Sequence, residues 1–233
     1  MTRIRMVDAA VPSGLGRRQV VTAKNYVRNP RAANAFGIAG NSGLGAGYGE
    51  LSYPTSGGPL PSLPTFTRRT VTTTPTGGDM VVGLAGKFAS PDGGVAIPLT
   101  AEDWGKLFRA TLYARSSVDA TKVKLAIGWF DAANSYVGGG TSALRAVSAG
   151  EWVKLEVLPS AVPTGTVSCS LSVNMDVASM ASAAPGTSLD ASGYLLHPRM
   201  GTLAVSYFDG DSEGASWLGV RDASQSTRAV GII

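Results

Sequence analysis

The stretch Val167-Ser168-Cys169-Ser170-Leu171-Ser172-Val173-Asn174-Met175-Asp176 decides the fold. Val167, Cys169, Leu171, Val173 and Met175 alternate with Ser168, Ser170, Ser172, Asn174 and Asp176. Side chains on a strand point to opposite faces in turn, so a period of two sorts residues by face. A helix would scatter these apolar side chains around its circumference. The stretch therefore predicts a strand with its apolar face in a core and its serine face in solvent.

Three further segments repeat the pattern. Val123, Leu125, Ile127 and Trp129 alternate with Lys122, Lys124, Ala126 and Gly128. Phe108, Ala110, Leu112 and Ala114 stand opposite Arg109, Thr111, Tyr113 and Arg115. Val153, Leu155 and Val157 stand opposite Trp152, Lys154 and Glu156. Less regular strands are predicted near 20–27, 65–73, 79–88, 93–98, 142–147 and 189–196. Turn signals separate them. Asp92-Gly93-Gly94 suits a tight hairpin, and Asp131 to Ser135 a longer hairpin loop. Gly138-Gly139-Gly140 and Ser148-Ala149-Gly150 read as breaks, Pro54 to Pro64 as an extended surface loop. Residues 37–49 and 178–188 read as irregular. Many short strands with one wet face each make an all-β sandwich of two antiparallel sheets.

Composition agrees. The 233 residues are 44% hydrophobic and only 15% charged, enough apolar material for a core. Six lysines and five glutamates leave helix bundles short of their usual residues. One Cys excludes an intramolecular disulfide framework, and one His excludes a multi-histidine metal site. The first residues lack the apolar core of a signal peptide, and no run of 18 apolar residues suggests a membrane span.

The net charge of +4 is unevenly placed. Residues 1–31 carry Arg3, Arg5, Arg17, Arg18, Lys24, Arg28 and Arg31 against Asp8, so the remainder sums to −2. Residues 204–222 hold Asp209, Asp211, Glu213 and Asp222 against Arg221. A basic arm on a neutral body suits docking on an acidic partner. No nucleic-acid motif accompanies it, so no nucleic-acid partner is expected.

Local wording resembles the minor tail proteins of tailed bacteriophages that carry a carbohydrate-binding-module-like jelly roll. Asn25-Tyr26-Val27-Arg28-Asn29-Pro30 resembles that family's opening "NLVTNPSFE". Leu112 to Ser117 is similar to "AYVRSS", Ile127 to Ala133 to "ITWYDAAG", Ser148 to Leu155 to "TAGQWTRL", and Ala161 to Gly165 to "TAPAG". The most specific stretch is Tyr207-Phe208-Asp209-Gly210-Asp211 followed by Trp217, Gly219, Ser224 and Ser226-Thr227-Arg228. It resembles the closing "YFDGD…WTG…SxSTR". The resemblance spans roughly residues 24–228. It implies an antiparallel jelly-roll β-sandwich, in the virion tail, that is structural or touches host glycans. It also implies a structural calcium near the family's Glu after "NPSF". Here Arg31-Ala32-Ala33 replaces that segment, and Asp190 stands where the family has the Asp of "YVDA". Calcium needs six to eight oxygens, so no metal and no cofactor are expected.

The expected organisation is a basic docking arm (1–24), a jelly-roll sandwich (25–203), and a C-terminal tail (204–233) that packs on the sandwich or a neighbouring subunit. Arg3, Arg5, Arg17, Arg18, Tyr207, Asp209, Asp211 and Trp217 are the candidate assembly contacts. Their partners would be other phage tail proteins and further copies of the chain at a symmetric tail tip. The expected location is the virion tail, after synthesis in the host cytoplasm. Sugars stack on aromatic rings and bind amides and charges through their hydroxyls. An exposed face over residues 107–124 would offer Arg109, Tyr113, Arg115, Lys122 and Lys124, extended by Tyr136; ordinary solvation or a neighbouring subunit would explain the same face. A glycan-binding adhesin is the first alternative.

An enzyme acting on cell-wall polysaccharide is the second alternative, and catalysis is not expected. Asp209, Asp211 and Glu213 could supply acids, but glycoside hydrolysis needs two carboxylates facing each other across a sugar. Three in one Gly-containing loop suit a solvated turn or a partner for the basic arm. Glu102-Asp103 reads as surface loop. His197 has no second His to build a site with, and reads as a loop or strand-end residue. Cys169 reads as an inert core residue. Trp129 reads as core, and Trp217 as the residue that pins the tail.

Overall fold

The computed structural model describes residues 20–28, 30–33, 38–39, 49–73, 80–85, 97–176, 178–179, 183–201, 205–219, 221 and 225–232. The strands are β1 (Val20–Asn25), β2 (Ile38–Ala39), β3 (Gly49–Ser52), β4 (Thr67–Val71) and β5 (Met80–Ala85). Next come β6 (Ile97–Pro98), a 3-10 turn (Ala101–Asp103), β7 (Leu107–Ser116), β8 (Thr121–Phe130), β9 (Tyr136–Thr141) and β10 (Arg145–Val147). The chain continues through β11 (Val153–Ala161), β12 (Ser168–Met175), β13 (Ser188–Pro198), β14 (Ala215–Trp217) and β15 (Ser226–Ile232). Candidates on residues 1–19 (Arg3, Arg5, Arg17 and Arg18) and the Asp92-Gly93-Gly94 hairpin lie outside the described residues.

Two antiparallel sheets form a jelly-roll sandwich. The first has the order β10-β8-β12-β5-β2, with β9 continuing the β10 edge of β8 and β6 pairing with β12. The second has the order β11-β7-β13-β4-β3. The deciding stretch is central: β12 pairs with β8 from Ser168↔Phe130 to Met175↔Val123. Cys169, Leu171, Val173 and Met175 are fully buried, as the alternation requires. Their core partners across the sandwich are Phe108, Ala110, Leu112 and Ala114 of β7 with Leu189, Ala191, Tyr194 and Leu196 of β13. Tyr26, Phe108 and Trp129 meet edge to face, with centroids 5.2 and 6.1 Å apart. Such pairs add about 0.5–1.5 kcal/mol each beyond the area they bury.

Gly138-Gly139-Gly140 lies inside β9, not in a break. A Cβ on Gly139 would collide with the Ile127 carbonyl and Tyr136 hydroxyl, so close backbone approach, rather than chain reversal, requires the glycine. Asp131 to Ser135 forms the predicted hairpin loop; Asp131 Oδ1 accepts the Ser135 N–H at 2.8 Å, and Asn134 adopts φ 70°.

The register of β13 slips between Ser192 and Leu195, where Gly193 sits at φ +67°. The bulge re-phases the strand, and Leu195 turns outward while Tyr194 and Leu196 stay in the core. That outward leucine is covered by a third, three-stranded sheet in the order β1-β15-β14 and by the segment before it. Ala23, Leu195, Val205 and Phe208 make a second small core there. The C-terminal segment thus packs on the outer face of the second sheet.

Candidate functional site

The outer face of the β8–β12 sheet carries an open groove of about 400 Å³. Ala126, Gly128 and Phe130 of β8 line it with Ser170 and Ser172 of β12 and Tyr136, Gly139, Gly140 and Thr141 of β9. The floor is low because its side chains are small. A Cβ on Gly128 would lie 3.1 Å from Ser170 Oγ and 3.0 Å from the Phe130 ring. The serine face of β12 was expected in solvent; Ser168, Ser170 and Ser172 are buried. The Ser172 hydroxyl donates to Asn174 Oδ1 at 2.8 Å. At one end Tyr136 is 65% exposed. Its hydroxyl reaches the space a Cβ on Gly139 would fill, and its ring meets Phe130 edge-on at 5.9 Å. An aromatic ring held this way leaves broad surface to solvent, the element that sugar stacking needs. Asn174 pairs in register with Lys124 beyond the opposite end.

The expected single face over residues 107–124 is corrected. β7 and β8 belong to different sheets, so Arg109, Tyr113 and Arg115 point away from Lys122, Lys124 and Tyr136. Their face is occupied by the chain itself. Arg109 pairs with Glu156 at 2.6 Å. Tyr113 packs on the bulge at Gly193, where a Cβ would touch its ring. Arg115 packs against both the Phe66 and Trp152 rings, 4.9 and 4.5 Å from their centroids. It donates to Asp190 at 2.7 and 2.9 Å and to the Gly57 carbonyl at 3.1 Å. Arg68 donates to the same carboxylate at 2.8 and 3.0 Å, which raises the Arg68 pKa. Both oxygens of Asp190 are therefore held by guanidinium groups. That environment does not fit calcium, and among the described residues no cluster of three His, Cys, Asp or Glu side chains could hold a metal ion.

The C-terminal signature makes a fastening. Asp209 is buried, not solvated. It accepts the Tyr207 hydroxyl at 2.9 Å, the Asp211 N–H at 2.9 Å and the Ser212 hydroxyl at 3.1 Å. Arg31, a cation of the basic N-terminal region, pairs with Asp209 and Asp211. Arg221 also pairs with Asp211, and Trp217 donates its indole N–H there at 3.0 Å. Burial works to raise the Asp211 pKa, but the Trp217 hydrogen bond and the two arginines outweigh it and hold it below the ordinary carboxylate value. The Trp217 ring fills the space a side chain at Gly210 would need. Tyr207, Asp209, Asp211 and Trp217 all have partners within this chain.

Asp103 is corrected from surface loop to buried cap. It accepts the Thr100 N–H at 3.0 Å and the Tyr26 hydroxyl at 3.0 Å. His197 lies on β13, buried, with Nδ1 2.7 Å from the Pro198 carbonyl. Burial, more than any neighbour, lowers its pKa. Burial pushes the Cys169 thiol up, away from the reactive thiolate. Of the candidate glycan contacts, the structure brings Lys124 and Tyr136 to the grooved sheet. Phe130, Ser170 and Ser172 were missed as site residues. Their signal was the unbroken run of serines on the wet side of the central strand.

No family model and no curated protein matches the chain. Solved structures resemble its fold. Arabinose-bound MgGH51 α-L-arabinofuranosidase is 16% identical, with a TM-score of 0.50 over 76% of this chain and 26% of that one. A family 30 carbohydrate-binding module is 11% identical, with a TM-score of 0.47 over 83% of this chain and 96% of that one. The enzymatically active domain of tailspike protein 4 of bacteriophage CBA120 is 13% identical, with a TM-score of 0.43 over 67% of this chain. The chain spans 18% of that tailspike's length. The arabinofuranosidase likeness shows the fold alone, a β-sandwich, and the chain spans about a quarter of that enzyme's length.

Proposed function

We propose that this chain is a structural protein of a bacteriophage tail tip that touches host-surface glycans through the groove of the β8–β12 sheet. One observation carries the glycan part: the exposed Tyr136 ring, laid along Gly139, stands at the end of a hydroxyl-floored groove. Ring, groove and hydroxyls together are what sugar binding needs. The opposite outer face has no such room, because Arg109, Arg115 and Asp190 are consumed by ion pairs.

The tail placement rests on the resemblance of the 207–228 stretch to phage minor tail proteins. The structure gives that wording a physical reason, since Asp209, Gly210, Asp211 and Trp217 build one fastening. In this reading the basic arm meets other tail proteins, and several copies surround the tip. The reading is non-catalytic. An acid catalyst needs a carboxyl held protonated, whereas Asp211 is held ionised by its arginines and Asp209 is saturated with donors.

Immuno-labelling of purified virions tests the placement: label at the tail tip is expected, and label absent from the tail overturns it. Pull-down on isolated host cell walls tests the glycan contact. Tyr136→Ala should lose most of the bound protein, and Tyr113→Ala should lose none. Retained binding by Tyr136→Ala overturns the groove.

A further inference from the structure

We infer that two copies of this chain pair about a two-fold axis through one corner of the second sheet's outer face, built from Leu107, Arg109, Glu156, Leu158 and Ala161. The inference goes beyond the glycan reading and uses none of the groove.

Register assembles the corner. β11 is the edge strand of the second sheet, with β7 beside it. Leu107 stands opposite Ala161, and Glu156 opposite Thr111. Their neighbours Phe108, Ala110, Val157 and Val162 are buried in the core, so alternation turns Leu107, Arg109, Glu156 and Ala161 outward. Between Val157 and Ser160 the register shifts, and Leu158 and Pro159 bulge against Arg109. Leu158 is 76% exposed, more than any other large hydrophobic side chain among the described residues. Leu107 is 40% exposed. The loop that meets Arg115 through Gly57 and the C-terminal segment over Leu195 leave this corner uncovered.

The chemistry of the corner selects its occupant. A strand cannot be added along the bulge, which distorts the edge, and Pro159 has no N–H to offer it. The contact must be made by side chains. Arg109 and Glu156 meet at 2.6 Å beside the leucines, and each is 36% exposed. A partner surface of one charge sign would match one of them and oppose the other. A second copy turned about a two-fold axis offers the same pair in reverse order, so each arginine meets a second carboxylate. A guanidinium has five N–H donors and can serve both. Leu107, Leu158 and Ala161 of each copy then meet their equivalents and exclude water. The groove lies on the other sheet, so pairing leaves it open in both copies.

The test is sedimentation velocity of the full chain between about 1 and 100 µM, where a dimer should form as concentration rises. Leu158→Asp should weaken it at least about thirtyfold, because one substitution changes both halves of the contact. Leu158→Ser should weaken it in the same direction, and thermal unfolding should show every variant folded. Val118→Asp, at the other end of β7 and equally exposed to solvent, should leave the dimer unchanged. Arg109→Glu and Glu156→Arg should each be monomeric, since like charges then face each other. An equimolar mixture of those two variants should recover a dimer, because one copy carries two acids and the other two cations. A merely structural role for the ion pair would not produce that recovery. A native chain that stays monomeric throughout overturns the inference. So does a mixture that stays monomeric, or a loss with Val118→Asp equal to that with Leu158→Asp. A trimer or larger ring overturns the two-fold arrangement.

Discussion

Asn25 Oδ1 accepts the backbone N–H of Leu196 at 3.1 Å, joining the N-terminal strand to the bulged strand of the sandwich. The same amide accepts the Val27 N–H at 3.1 Å and donates to the carbonyls of Tyr194 at 2.9 Å and Phe208 at 3.2 Å. One fully buried side chain thus ties β1, β13 and the C-terminal segment together. Asn25→Asp keeps the shape but removes both donors and sets a carboxylate against two carbonyls. It should cost roughly 2 to 4 kcal/mol. Urea unfolding measures the loss, and limited proteolysis should show cleavage near 205–219 first. A loss below about 0.5 kcal/mol would show that the knot carries no stability.

Asp190 sits under two guanidinium groups, with its own side chain 2% exposed. Asp190→Ala leaves Arg68 and Arg115 adjacent and unneutralised over the Phe66 ring. Removing one partner of a buried pair costs about 3–5 kcal/mol. Arg68 is 36% exposed, so solvent screens part of the charge and roughly 2 kcal/mol is expected. Chemical denaturation of the variant and of Asp190→Ala with Arg68→Met should show the second change recovering part of the loss.

His197 sets a pH dependence. Burial lowers its folded pKa below 6.5, so the unfolded chain binds the proton more readily. The stability it contributes is complete above pH 6.5 and is lost as pH falls toward the depressed folded value. Unfolding free energies taken between about pH 8 and pH 5 should decline on the acid side. His197→Gln should flatten that decline. An unchanged slope in the variant would assign the decline to other groups.

Gly128→Val tests the groove without replacing an aromatic residue. The added carbons would press on Ser170 and Phe130 and raise the floor. Cell-wall binding should fall by at least about tenfold, while stability falls by about 1–2 kcal/mol. A folded variant that binds as well as the native chain would move the glycan contact elsewhere.

Local pattern and tertiary structure divided the work at identifiable residues. Alternation over 107–115, 122–130 and 167–176 determined the strands, their inward residues and the all-β class, because side chains on a strand must alternate. The same rule read Trp129 and Cys169 as core. Alternation says which side chains share a face, and nothing about which strand lies alongside. The short connection from Ser116 to Thr121 suits a hairpin as well as an arch between layers. Only pairing, β7 with β11 and β13 and β8 with β12, separated Arg115 from Lys124. The groove was hidden for a related reason. Serine, glycine and alanine look like an ordinary wet face until Tyr136 and Phe130 rise beside them. The turned-out Leu195 depended on one bulge, and a one-residue slip reverses every side chain after it. The sequence by itself determined the strands and the core. The tertiary structure decided which outer face stays open, because charge pairs and the C-terminal segment filled the other.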